Sequence, residues 1–285
     1  MTTEGAELVL APEKGGCVSA FRWKGQNVLR PLDPSKGADA PPTDYAAFPL
    51  FPFSGRIANG QFSFDNDTYT LTPNFPPEPH AVHGNGWQSA WEVLERSSHS
   101  VHFFYENNDS DWPWNFRAEQ GFAITQNGLR IDLQLTNLSD RIMPGGIGWH
   151  PYFPSGNAKL EADVSAVWLS GENMIPGSPT ELTEETDLTH LRDVKDLRLD
   201  NAFSAGLRGT RILWEDQSKS VSMTASDPLR HLIVYTPEGE DFFCVEPVSH
   251  SPDALNSSQE PDTTGLQVLA PGESLTASIS LMVEL

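Results

Sequence analysis

Basic side chains are scarce in this 285-residue sequence: 18 Lys and Arg stand against 39 Asp and Glu, a formal charge of −21 at pH 7. A phosphate backbone needs a basic stripe, so nucleic acid is a poor partner, and an anionic membrane surface is disfavoured by the same sign. Cysteine is nearly missing too. Cys17 and Cys244 lie far apart with no CxxC partner, which is neither a disulfide framework nor a zinc pattern and leaves both as small buried hydrophobes. No apolar run approaches the roughly 18–20 residues of a membrane span. The start, Met1-Thr2-Thr3-Glu4, has no basic and apolar signal segment, so the expectation is a soluble, cytoplasmic protein. Apolar spacing nowhere holds a helical period for long; only residues 251–256, after Pro252, offer a brief helical turn. Neither HExxH nor GxSxG occurs, which speaks against a local metal pair and a nucleophile elbow.

Hydrophobic residues at 38% and aromatics at 10% suffice for one substantial core, so the charge does not signal disorder. The 22 Gly and 23 Pro fall between short alternating segments, the texture of strands joined by turns. In residues 116–138, Leu129, Ile131, Leu133 and Leu135 alternate with Arg130, Asp132, Gln134 and Thr136, and Asn127-Gly128 reads as the tight turn of a hairpin. Leu275, Ala277, Ile279, Leu281 and Val283 repeat the pattern as a terminal strand. Further strands are expected at 20–23, 61–64, 68–71, 91–96, 101–105, 159–169, 211–214, 221–225, 232–235 and 242–246. Residues 33–44 read as an excursion over the surface and 173–196 as an acidic surface loop. No linker or fixed-period repeat appears, so residues 1–285 are expected to form a single, all-β domain, a large antiparallel β-sandwich.

Polar residues set among Gly, Pro and aromatics interrupt this pattern. In Gly55-Arg56-Ile57-Ala58-Asn59, Arg56 either presents its rigid fork of donors to a ligand's oxygen atoms or ties loop carbonyls together. In His83-Gly84-Asn85-Gly86-Trp87, the glycine lets the backbone approach closely and Trp87 offers an apolar face of the kind that packs on sugar C–H groups; a lone His is more often structural. Gly145, Gly146 and Gly148 precede His150, which suggests a tight bend presenting an imidazole suited to proton transfer near neutrality. In Phe242-Phe243-Cys244-Val245-Glu246-Pro247 a carboxylate ends an apolar strand. It is either paired with an arginine or is a general base whose affinity for protons is raised by apolar neighbours, the reading favoured here. Two imidazoles, a carboxylate and a guanidinium, with no nucleophile, metal motif or phosphate loop, can move protons and hold hydroxyls.

Together these segments resemble the aldose 1-epimerase (mutarotase) family. The resemblance rests on Gly55-Arg56-Ile57-Ala58-Asn59, His83-Gly84 with Gly86-Trp87, His150-Pro151-Tyr152-Phe153, Leu199-Asp200-Asn201-Ala202-Phe203, and Glu246-Pro247 with Pro252-Asp253-Ala254-Leu255-Asn256, in the family's order. It implies a galactose mutarotase-like supersandwich that uses no cofactor and no metal and acts on a small-molecule sugar. By the same resemblance Glu246 is the general base at the anomeric hydroxyl and His150 the general acid at the ring oxygen. His83 assists the acid, and Arg56, Asp200 and Trp87 bind the sugar. Asn85, Gly60 and the residues flanking His150 depart from the better-known galactose mutarotase pattern and leave the hexose open. A sugar-binding protein on the same fold, with Trp87, Trp149 or Phe203 as platforms, and a hexose-6-phosphate 1-epimerase remain as alternative readings.

Overall fold

The computed structural model describes residues 1–3, 5–37, 39–108 and 112–285. Strands make up nearly all of the regular structure; among the described residues the one α-helix is Pro261–Thr264. The largest sheet has 16 strands, all paired antiparallel, and the expected all-β sandwich architecture is what the chain adopts. No helix among the described residues is long and apolar enough to cross a membrane.

Period-two patterning places the long strands. In Ser274–Glu284 the side chains of Leu275, Ala277, Ile279, Leu281 and Val283 are buried while their neighbours face out, and Gly128–Asn137 beside it buries Leu129, Ile131, Leu133 and Leu135. The hairpin forms, but its turn does not sit where the Asn-Gly dipeptide suggests. Thr125 pairs with Gly128, so Gln126 and Asn127 are the tip and Gly128 belongs to the strand. A Cβ at position 128 would run into the carbonyl oxygen of Leu281; that glycine serves close approach of the terminal strand.

Strand 211–214 proves to be the end of a longer one, Asp200–Trp214, which pairs first with His231–Tyr235 and then with Lys219–Ala225. Gly206 and Gly209 break its alternation and conceal its first half in the sequence. Residues 251–256 yield only the 3-10 turn Ala254–Asn256. The 33–44 excursion carries two 3-10 turns, Pro34–Lys36 and Pro42–Asp44, and walls a cavity. Within 173–196, Leu188 and Val194 are buried, so that stretch is anchored to the core and not merely a solvated loop.

Neighbouring strands Ala47–Leu50, Gly148–Pro154, Phe242–Val248, His231–Tyr235 and Asp200–Trp214 form the floor of that cavity. Their register sets the site. Phe48 pairs with His150, Ile233 with Glu246 and Ala202 with Ile233. One row over, Tyr152 pairs with Cys244, Cys244 with Tyr235 and Tyr235 with Asp200. Residues two apart on a strand share a face, so both rows look the same way.

Candidate active site

The cavity on this face has a volume of about 1380 Å³, and Arg56, His83, Trp87, His150, Asp200 and Glu246 all line it. At its centre Nε2 of His150 lies 3.3 Å from Oε1 of Glu246, with only 7% and 2% of the two residues exposed. The imidazole packs against Phe48, 4.4 Å away between ring centroids, and against Tyr152, 4.8 Å away and nearly parallel. The expected tight bend before His150 does not occur: Gly148 opens an extended strand, and a Cβ there would lie 2.8 Å from Cγ1 of Val248. The glycine serves close strand packing beside the site and not curvature.

Burial, and secondarily the charge of Asp200, pushes the Glu246 carboxyl well above the ordinary carboxylate range. Burial also pushes the His150 imidazole well below its usual value, and the neighbouring His83 adds to that. No arginine is paired with Glu246 among the described residues; its partner is the imidazole. Oε2 of Glu246 and Nδ1 of His150 are buried without hydrogen-bond partners, a costly state that a polar ligand relieves.

His83 has a left-handed backbone (φ 60) and its Nδ1 accepts the Gly55 N–H at 3.0 Å. That bond puts the proton of the neutral ring on Nε2, and burial, with Arg56 nearby, pulls the ring down to about 3, so it stays neutral. Its ring meets His150 edge-on at 5.5 Å between centroids. Arg56 is placed by the pairing of Arg56 with Val82 and by the Asp253 N–H, which donates to the Arg56 carbonyl. Oδ1 of Asp253 in turn accepts the Ala58 N–H at 2.9 Å, tying the segment around Arg56 to the one after Glu246. The guanidinium forms an ion pair with Glu78 at 3.1 Å and keeps a buried Nε without a partner. Asp200 is half-buried, and burial raises its carboxyl while Arg56 draws it back down.

Trp87 is 2% exposed, stacks on Phe48 at 5.2 Å and donates its indole N–H to the Val82 and Gly84 carbonyls, so it lies beneath the cavity wall more than on it. Trp149 and Phe203 are fully buried and do not line the cavity, which corrects their expectation as sugar platforms. His80, His231 and His250 lie away from it as well. His80 accepts the Asn59 N–H and His250 the Ser54 N–H, so both staple loops.

Several cavity residues escaped the sequence reading. Arg30 lies 4.4 Å above the Tyr152 ring and 4.6 Å from that of Phe242 and donates to the Thr43 and Tyr45 carbonyls. Phe48, Phe75, Tyr235 and Phe242 also line the walls. Alternation marks most of these as strand residues, but only the pairing register tells which face is the cavity. Ligand atoms of His150, Cys244 and Glu246 lie within 4.8 Å of one another. A metal needs the thiolate, and burial pushes the Cys244 thiol well above its ordinary value, so this donor set is better suited to holding protons than a cation.

The aldose 1-epimerase family model matches residues 1–282. An Escherichia coli (strain K12) relative, the uncharacterized protein YphB, is 31% identical over 281 residues, covering 95% of this chain and 94% of that protein. The E. coli aldose 1-epimerase is 27% identical over 106 residues, 35% of this chain and 30% of that one. A crystal structure from E. coli K12, provisionally assigned as an aldose 1-epimerase, superposes with a TM-score of 0.89 at 30% identity, covering 100% of this chain and 97% of that one. For a galactose mutarotase-like protein from Clostridium acetobutylicum the TM-score is 0.87 at 20% identity, covering 100% and 94% of the two chains, a likeness of fold. This chain belongs to the aldose 1-epimerase family.

Proposed function

We propose that the protein is an aldose 1-epimerase that interconverts the α and β anomers of a free aldose by acid/base ring opening and reclosure. The observation that carries the reading is the buried His150–Glu246 contact of 3.3 Å on the cavity floor, with a carboxylate oxygen left unsatisfied.

A hemiacetal opens when one proton leaves O1 as another arrives at the ring oxygen. These oxygens share the anomeric carbon, so two groups in mutual contact reach both. With Glu246 ionised and His150 protonated, Glu246 takes the O1 proton while His150 gives its Nε2 proton to the ring oxygen. The C1–O5 bond breaks, leaving the aldehyde, a neutral imidazole and a carboxylic acid. That is the protonation state burial favours in this pocket, so the fold stabilises the couple as it stands when the ring is open. Rotation about C1–C2 presents the other face of the aldehyde. Reclosure returns the O5 proton to His150 and the Glu246 proton to O1. The Nε2–H of His83 supports the ring oxygen, Arg56 and Asp200 hold hydroxyls, and Trp87 backs the apolar wall.

Polarimetry on freshly dissolved α-glucose and α-galactose, extended to a panel of free aldoses, tests this. Faster approach to anomeric equilibrium than in buffer is expected. Sugar binding by calorimetry with no acceleration on any aldose would instead make the protein a binding module on this fold.

A further inference from the structure

Three side chains between positions 78 and 83 reach back to one short stretch, residues 55–59. Glu78 pairs with the Arg56 guanidinium at 3.1 Å, His83 Nδ1 accepts the Gly55 N–H at 3.0 Å, and His80 Nδ1 accepts the Asn59 N–H at 3.0 Å. Glu78 and His83 line the cavity; His80 does not, and it is only 2% exposed. Accepting at Nδ1 puts the proton of the neutral His80 ring on Nε2, and that N–H donates to the Asn173 carbonyl at 2.8 Å. Both nitrogens of a buried imidazole are thus engaged by backbone, from two segments far apart in the chain.

Asn173 belongs to a hairpin at the cavity wall. Ser170 bridges Pro176, the Gly171 N–H donates to the Ile175 carbonyl, and the Met174 N–H donates to the Gly171 carbonyl. Ser170, Met174 and Pro176 line the cavity. At the base of the hairpin the Ser170 hydroxyl donates to the Asp200 carbonyl at 2.6 Å, and Asn201 Nδ2 donates to the Trp168 carbonyl at 3.2 Å. The tip passes through two successive left-handed residues, Asn173 at φ 58 and Met174 at φ 63, neither of them glycine. Residues with a Cβ keep that conformation only where their surroundings hold it, and the bond from His80 falls on this tip. One imidazole therefore joins the turn after Arg56 to the hairpin that braces Asp200.

We propose that His80 is a positioning residue for the sugar: it clasps the 170–176 hairpin to the turn after Arg56 and so fixes Arg56 and Asp200 relative to one another. What those two residues hold rests on the epimerase reading above. The clasp acts on binding and not on proton transfer, because its hydrogen bonds go to neither strand of the His150–Glu246 couple. Two conservative variants separate its halves. Asn in place of His80 keeps an acceptor where Nδ1 stands but falls short of Asn173, whereas Gln reaches Asn173 with a donor and gives up the acceptor for Asn59.

The test is amide hydrogen exchange on the full chain, with and without an aldose that the wild type turns over, together with KM and kcat for that aldose by polarimetry. His80→Asn is expected to speed exchange at Gly171 and Met174 by about fivefold or more, the scale of one lost hydrogen bond, and His80→Gln to speed it at Asn59 instead. Both should raise KM by about fivefold or more with kcat within about twofold of wild type. In the wild type, the aldose should slow exchange at Gly171 and Met174, a measurement that stands even if a variant fails to fold. Unchanged hairpin exchange in His80→Asn, an unchanged KM in either folded variant, a fall in kcat at constant KM, or no protection of the wild-type hairpin by sugar would overturn the clasp. If the wild type accelerates no aldose, the epimerase reading fails, while exchange in the sugar-free variants still decides whether His80 holds the hairpin.

Discussion

Glu246 and His150 act as one titrating unit, since at 3.3 Å neither changes charge without the other feeling it. Burial raises the carboxyl and lowers the imidazole, which favours the pair holding one proton between them, on the carboxyl. An ordinary solvent-exposed histidine would gain its proton near pH 6.5. Here kcat/KM, which reports the free protein's groups, is expected to stay level as pH falls through 6.5 and to decline only where the couple accepts a second proton. A clear half-loss of kcat/KM centred at pH 6.5 would show an unperturbed imidazole and contradict the couple. At this scale the sequence was informative about which residue types matter: a carboxylate closing an apolar strand and histidines beside glycines stand out against an alternating background. It was misleading about Trp149 and Phe203, because an aromatic beside a motif looks the same whether its face is on the core or the cavity side.

Strand pairing decides that question and does so through contacts far apart in the chain. The segment around Arg56 is held by the Asp253 carboxylate on the Ala58 N–H and by the Asp253 N–H on the Arg56 carbonyl. Asp253→Ala leaves the half-buried Ala58 amide without its charged acceptor, a loss of about 1–3 kcal/mol in denaturant melts. Because Arg56 shares this turn, KM for the sugar should rise more than kcat falls. A stable variant with unchanged KM would mean that Asp253 does not position Arg56. The strands themselves were largely legible from period-two patterning, from the hairpin of Phe116–Thr125 and Gly128–Asn137 to the terminal Ser274–Glu284. The first half of Asp200–Trp214 was not, because glycines interrupt its alternation, and the tip at Gln126 and Asn127 was not, because Gly128 answers to Leu281 across the sheet.

Over the whole molecule, the charge of −21 is spread mainly over the outer surface, in stretches such as residues 173–196, and favours solubility over any one partner. Buried histidines impose a separate pH dependence on the fold. His231 donates to the Thr263 carbonyl, and burial, then the nearby His250, pulls its ring down to about 4. Between pH 6.5 and about 4 the unfolded chain binds a proton at His231 that the folded chain refuses, so this group removes stability as pH falls, up to about 3 kcal/mol. His231→Gln should therefore lose less stability than wild type when denaturant melts at pH 7 and pH 4 are compared. Equal losses would place that proton uptake elsewhere. How the strands join into one 16-stranded sheet was not readable from composition or periodicity, since pairing partners such as Ala47–Leu50 and Gly148–Pro154 are separated by about a hundred residues.

The central claim is that Glu246 takes the anomeric proton, and its most direct measurement is the anomer interconversion rate of Glu246→Gln against wild type, followed by NMR at neutral pH with an aldose the wild type accelerates. The amide fills the same space but accepts no proton at this step, so the rate is expected to fall by about 10²–10⁴-fold while the thermal melt shows an intact fold. A Glu246→Gln protein that interconverts anomers at the wild-type rate would contradict the account.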